Sequence, residues 1–199
     1  MMNRMYNQRV SNPQPLQHDQ YYHIYNRGVN GETLFLEERS YTYFLKLYAK
    51  YVEPIGETYA HCLLKNHFHF LVRTRACPVS DTGQALNPSR QFNNLFIAYA
   101  KAFNRAYERT GALFESPFKR RLVDNDRYFT CLVAYIHHNP QRHGLIDDFR
   151  DWPYSSYQAV LSTEPSRIQR AAILDWFDGR AGFEDAHLAQ QQTENRRKG

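Results

Sequence analysis

Two apolar runs, Thr58 to Leu64 ("TYAHCLL") and His67 to Arg73 ("HFHFLVR"), are separated only by Lys65 and Asn66. A two-residue polar link between strand-like runs signals a β-hairpin, so this chain has to build an antiparallel sheet around its middle. "YYHIYNRG" (21 to 28) is rich in β-formers, stops at a glycine and predicts a first strand. Ser40 precedes "YTYFLKLYAKYV", whose Phe44, Leu45, Tyr48 and Val52 recur at helical spacing, giving a helix that stops before Pro54. After a loop with Pro78, Gly83 and Pro88, Ser89 is read as the cap of the clearest helix. There Phe92, Leu95, Phe96, Tyr99, Phe103 and Tyr107 repeat on one face, Asn94, Lys101 and Arg105 lie on the other, and Gly111 is the stop. "FKRRLV" (118 to 123) predicts a fourth strand, and "DNDRYFTCLVAYIHHNP" a helix capped by Asp124, Asn125 or Asp126 and ended by Pro140.

The order β-α-β-β-α-β-α predicts an α+β fold, a ferredoxin-like split βαβ with an antiparallel sheet and helices packed on one face. At 199 residues the chain suits one domain plus extensions. Residues 1–19 are polar with two prolines and read as a flexible N-terminal arm. Residues 20–160 form the domain, and 161–199 a C-terminal extension, partly helical with a polar tail. Three cysteines (Cys62, Cys77 and Cys131) without CxxC spacing argue against a disulfide framework or a zinc ribbon. No stretch approaches the length of a membrane span, so the expectation is a soluble, cytoplasmic protein. Net charge is +5, and 15 Tyr and 13 Phe are interleaved with the basic residues. That mixture suits a groove that stacks exposed bases and neutralises phosphates, though most such rings are core in any fold.

Alternation along the second hairpin strand puts His67 and His69 on one face and Phe68 and Phe70 on the other. Two imidazoles about 6.6 Å apart along a strand can converge on one cation. Nine histidines in 199 residues give about 0.4 such pairs by chance, so two merely structural histidines stay open as the other reading. On the last helix Tyr135 and Asn139 share a face, about 6 Å apart along the axis. Periodicity alone favours reading Tyr135 as a core side chain beside Leu132 and Ile136. Tyr22 and Asn26 have the same spacing, but a strand would hold them about 13 Å apart.

Taken together, "NHFHFLV" and "YIHHNPQRHGL" resemble the REP-associated tyrosine transposases, single-tyrosine members of the HUH class. His67, Phe68 and His69 match the two histidines around a bulky hydrophobe. Tyr135, Asn139, Pro140, Gly144 and Leu145 match the family's tyrosine helix, and "YHIYNRG", "GALFESPFKRRLV" and "DWPYSSY" match flanking stretches. Where relatives commonly carry Pro before the Asn of the hairpin turn, this chain has Lys65.

The resemblance implies a transposase that nicks and rejoins single-stranded DNA bearing hairpins, through a 5′-phosphotyrosine on Tyr135. A divalent metal, Mg²⁺ or Mn²⁺, would be held by His67, His69 and Asn139. Free tyrosine ionises near pH 10, so a tyrosine nucleophile needs a cation or base nearby. Lys101, Arg105, Lys119, Arg120 and Arg121 are the expected DNA-binding residues. No membrane partner is expected, and either a monomer or a homodimer fits. Two other readings stand beside this one: a domesticated DNA-binding protein that cuts nothing, and an HUH replication initiator.

Overall fold

The computed structural model describes residues 14–198. Strands β1 (Tyr21–Arg27), β2 (Gly56–Leu64), β3 (His67–Thr74) and β4 (Lys119–Leu122) form one antiparallel sheet in the order β2-β3-β1-β4. Helix α1 (Glu38–Tyr51) joins β1 to β2 and α2 (Pro88–Ala106) joins β3 to β4, each crossing one intervening strand. This is the expected α+β class and split βαβ order. Helix α3 (Asp126–Arg142) follows β4, and α4 (Tyr157–Leu161), α5 (Arg170–Trp176) and α6 (Arg180–Lys198) complete the chain.

The hairpin forms where the apolar runs place it, with Leu64 opposite His67. Neither Lys65 nor Asn66 takes a positive φ, so the turn lacks the twist that makes two-residue hairpins self-sufficient. It is held from outside instead. The Lys65 carbonyl accepts the N–H groups of Leu34 (2.8 Å) and Phe35 (3.0 Å), and the Asn66 carbonyl accepts that of Gly28 (2.8 Å). A Cβ on Gly28 would stand 2.0 Å from the Glu32 carbonyl oxygen, so only glycine lets the end of β1 close on the hairpin tip.

Helices cover both faces of the sheet, a correction to the single layer expected. On one face α1 and α2 bury Phe44, Tyr48, Phe92 and Tyr99 against Ile24, Phe68 and Phe70. On the other, Phe129, Leu132, Val133 and Ile136 of α3 join Leu64 and Leu71 in a second core. The physical reason lies in β3, where six of eight positions are buried. A strand apolar on both sides demands two covers. Ile173, Phe177 and Phe183 belong to that same second core, so α5 and the first turns of α6 pack into the core that α3 makes with the sheet.

Three element ends also differ from expectation. Asn87, not Ser89, caps α2: its side chain accepts the Arg90 N–H, with Pro88 in the first turn. That helix stops at Ala106, short of Gly111. Helix α3 passes through Pro140 to Arg142. One N–H is missing there, but closure continues beyond it through His143 N–H to Asn139 O (3.0 Å) and Leu145 N–H to Pro140 O (2.9 Å). Gly144, at φ +66, then takes the left-handed turn that ends the helix.

Of the arm expected over 1–19, residues 1–13 lie outside the described residues. The rest is fastened to the sheet: Leu16 is buried and gives its N–H to Ser89 Oγ (2.8 Å), Thr74 Oγ1 donates to Gln17 O (2.7 Å), and Asp19 pairs with Arg73 (2.6 Å).

Candidate active site

Register decides which side chains meet. In the β1/β3 pairing Tyr25 stands opposite His69 and Arg27 opposite His67, so His23, Tyr25, His67 and His69 share the sheet face that α3 covers. Helix α3 crosses this face with Tyr135, Asn139 and His143 in a stripe at i, i+4 and i+8. The Tyr135 ring lies 5.5 Å from that of His69, and the His143 ring 4.7 Å from that of His67. Asn139 sits between them on the stripe, fully buried. The guanidinium of Arg142 stands 5.0 Å over the Tyr135 ring.

The hydrogen bonds fix which ring nitrogens remain free. Asn66 donates through Nδ2 to Gly31 O (3.3 Å), which turns its Oδ1 toward His67 Nδ1 at 2.7 Å. A carboxamide oxygen can only accept, so His67 carries its proton on Nδ1 and keeps a lone pair on Nε2. His69 Nδ1 lies 2.9 Å from His23 Nε2; when Nδ1 donates, its Nε2 keeps the lone pair too. The Asn139 carboxamide donates to Tyr135 O (2.8 Å), while its buried Oδ1 has no hydrogen-bond partner. An orphaned buried oxygen is costly, which makes it notable beside two available imidazoles.

Burial keeps these rings neutral. It pushes His23 down to about 3, helped by the Arg121 charge, and His67 down to about 4, helped by His143 and Arg27. His69 is held well below its ordinary value, first by burial and then by the neighbouring His23 and His67. Neutral imidazoles and an amide oxygen fit a divalent cation as a donor set. Among the described residues no three His, Cys, Asp or Glu side chains form a cation cage by themselves, so such an ion relies on Asn139 and on water.

Of the expected DNA-binding residues, Lys119 pairs opposite Tyr25 and Arg121 opposite His23, both on the histidine face. Arg120 points the other way, over the Phe118 ring at 3.8 Å, and donates to Ser89 Oγ (3.2 Å). Lys101 and Arg105 are exposed on α2, across the sheet from the histidines. The sequence reading passed over His23, Tyr25, Arg142 and His143. The available signal was the alternation of "YYHIYNR", which puts His23 and Tyr25 on one face once β1 is paired with β3.

No protein-family model matches the chain. A curated protein of Haemophilus influenzae that carries the provisional name REP-associated tyrosine transposase is 27% identical, over 69% of this chain and 84% of its own. A solved structure described as a REP-associated tyrosine transposase bound to a REP hairpin shares the fold, with a TM-score of 0.59 at 14% identity, over 79% of this chain and 89% of that one. No helix among the described residues is long and apolar enough to cross a membrane. Motifs, sequence similarity and fold thus converge: the chain resembles the REP-associated tyrosine transposases in sequence and shares the fold of one of them.

Proposed function

We propose that the protein nicks and rejoins hairpin-bearing single-stranded DNA in the cytoplasm, with Tyr135 as the nucleophile. The observation that carries this reading is the Tyr135 ring 5.5 Å from His69, on the same helix face as a buried Asn139 Oδ1 that lacks a partner. In the forward step the phenolic oxygen of Tyr135 forms a bond to the scissile phosphorus, the bond to the 3′-oxygen breaks, and the phenol proton passes to solvent while the 3′-oxygen takes one up. The phosphoester is conserved as a 5′-phosphotyrosine, so the 3′-hydroxyl can reverse the step without ATP.

A divalent ion, Mg²⁺ or Mn²⁺, supplies charge at the phosphate when bound, and His67 Nε2, His69 Nε2 and Asn139 Oδ1 are the atoms that would hold it. Arg142, over the Tyr135 ring, balances the phosphate from the helix side. Lys119 and Arg121 track the backbone along the edge strand, and Tyr25, stacked 4.6 Å from His23, offers a platform beside them. Either one chain or a pair of chains can present this face.

A second reading, binding of hairpin DNA without cleavage, is favoured by the lack of a self-sufficient cation cage among the described residues. Incubation with single strands from the flanks of its own gene and Mg²⁺ or Mn²⁺, followed by mass spectrometry, separates the two. The expected result is a phosphotyrosine on Tyr135, with adduct formation lowered at least roughly 10³-fold in Tyr135→Phe. An equal yield of adduct from that variant removes Tyr135 as nucleophile. Binding with no adduct, whatever the hairpin or metal, favours the second reading.

A further inference from the structure

The back and one flank of α3 carry a second histidine group that the proposed chemistry does not use. At about 100° per residue His137 lies roughly 200° around the helix from Tyr135, and His138 about 60° from it on the other flank. Both are completely buried, as is His187 of α6. His187 Nδ1 lies 2.7 Å from Phe183 O, which can only accept, so His187 is protonated there and offers Nε2 as an acceptor. His137 Nδ1, 2.8 Å from that Nε2, is therefore the donor. His137 Nε2 is left as an acceptor for the Ser156 hydroxyl at 2.8 Å, and Ser156 Oγ accepts the His61 N–H of β2 at 2.8 Å. His138 Nε2 closes the group by donating to His187 O (2.9 Å). The links between the histidines each have one direction, the Ser156 hydroxyl has His61 O at 3.3 Å as a second acceptor, and the chain runs from α6 through α3 to the strand beside the paired histidines.

We propose that His187 is a positioning residue for the nucleophile: by accepting from His137 while its own carbonyl accepts from His138, it fixes the rotation and height of α3, and so where Tyr135 and Asn139 stand against β3. The C-terminal helix α6 is then a working part of the site. The proposal rests on the functional reading above, because only a catalytic Tyr135 needs such placement. Van der Waals packing alone would hold α6 in place through Phe183 and Phe177, but an apolar contact leaves rotation about the helix axis loosely set. Two hydrogen bonds to successive residues remove that freedom. A misplacement of the attacking oxygen by about 1 Å is enough to cost roughly 100-fold in rate.

Two variants of the full chain test it. His187→Phe fills the space and removes the acceptor, whereas His187→Gln keeps an acceptor oxygen near the Nε2 position. Three readouts are taken: amide hydrogen exchange across 126–142 against that of β1 and β3, the Kd for a hairpin strand, and the single-turnover rate of adduct formation. For His187→Phe, exchange is expected to quicken in α3 but not in the sheet, Kd to stay within about twofold, and the rate to fall by roughly 100-fold. His187→Gln is expected to recover most of both losses. Unchanged α3 exchange in the Phe variant, or a Gln variant no better than Phe, overturns the proposal. So does a loss of rate matched by equal loosening of α3 and the sheet, the mark of a merely structural residue. If wild-type protein forms no adduct, the functional reading fails alone, and hydrogen exchange still decides whether His187 fixes α3.

Discussion

Two histidine groups flank helix α3, and they differ in what their nitrogens have left to do. On the back and one flank of the helix, His137, His138 and His187 are fully buried, and five of their ring nitrogens meet a carbonyl, a hydroxyl or one another. In front of it, His67 uses Nδ1 on Asn66 and His69 faces His23 through Nδ1, which, when that Nδ1 donates, leaves two Nε2 lone pairs and the orphaned Asn139 Oδ1 on one side of the sheet. Residue type is the same in both, and burial is high in both. The contrast lies in satisfaction: a closed network rigidifies, and an open one retains binding capacity. The front group thus retains the capacity to bind, and the back group supplies support.

The largest expected effect breaks the front group outright. The His67→Ala, His69→Ala double variant should lose Mn²⁺ binding by at least about 10³-fold in calorimetry while keeping its fold, because two of three proposed donors are gone. Full-strength Mn²⁺ binding by that variant sinks the assignment of these residues. The back group should fail under acid instead. Burial pushes His187 down to about 3, below the ordinary 6.5, so the folded state disfavours the protonated ring. That stability is complete above pH 6.5 and declines as pH falls toward 3. At pH 4 the loss from this ring is about 3 kcal/mol, which urea melts at pH 7 and pH 4 would read. His187→Gln should flatten the decline; an equally steep one in that variant assigns the acid loss elsewhere.

A smaller effect sharpens the front group. His23 touches no proposed substrate atom; its Nε2 orients His69 from 2.9 Å. His23→Phe should therefore weaken Mn²⁺ binding by about 10- to 100-fold without changing its stoichiometry, as loss of an orienting partner does. Unaltered affinity in that variant means His69 is oriented by packing alone.

The local spacings of this candidate site are legible in the sequence, and each miss has its own physical cause. His67 with His69, and Tyr135 with Asn139, are local spacings of two and four residues, visible because strand and helix periodicities are short-ranged. His23 was hidden because its role depends on the β1/β3 register, which brings together residues 46 apart in sequence. Helix α6 was hidden for a different reason. Phe183 and His187 are its only buried side chains among those described, too few to print a stripe. The cap of α2 was misread because Ser89, a good cap by type, is engaged by Leu16 and Arg120 from distant parts of the chain. The basic run "KRRL" was legible in principle: alternation alone separates Arg120 from Lys119 and Arg121.

That alternation yields the smallest and most discriminating prediction, since it compares basic pairs on the two sides of the sheet. If DNA lies over the front histidines, Lys119 and Arg121 approach phosphate, and Lys101 and Arg105, outside α2, do not. Each phosphate contact contributes about 0.7 to 1 to the slope of log K against log salt. The Lys119→Ala, Arg121→Ala double variant should thus lower that slope by about 1.5 to 2 in hairpin-strand titrations between low and moderate salt, and weaken binding most at low salt. The Lys101→Ala, Arg105→Ala variant should leave the slope within about 0.3 of wild type. Arg120→Ala should differ from both: its guanidinium holds Ser89 and covers Phe118, so its removal lowers stability by about 1 kcal/mol with little change in slope. The reverse pattern, with the slope moved by Lys101 and Arg105, would put the nucleic acid on the α1 and α2 side, away from Tyr135.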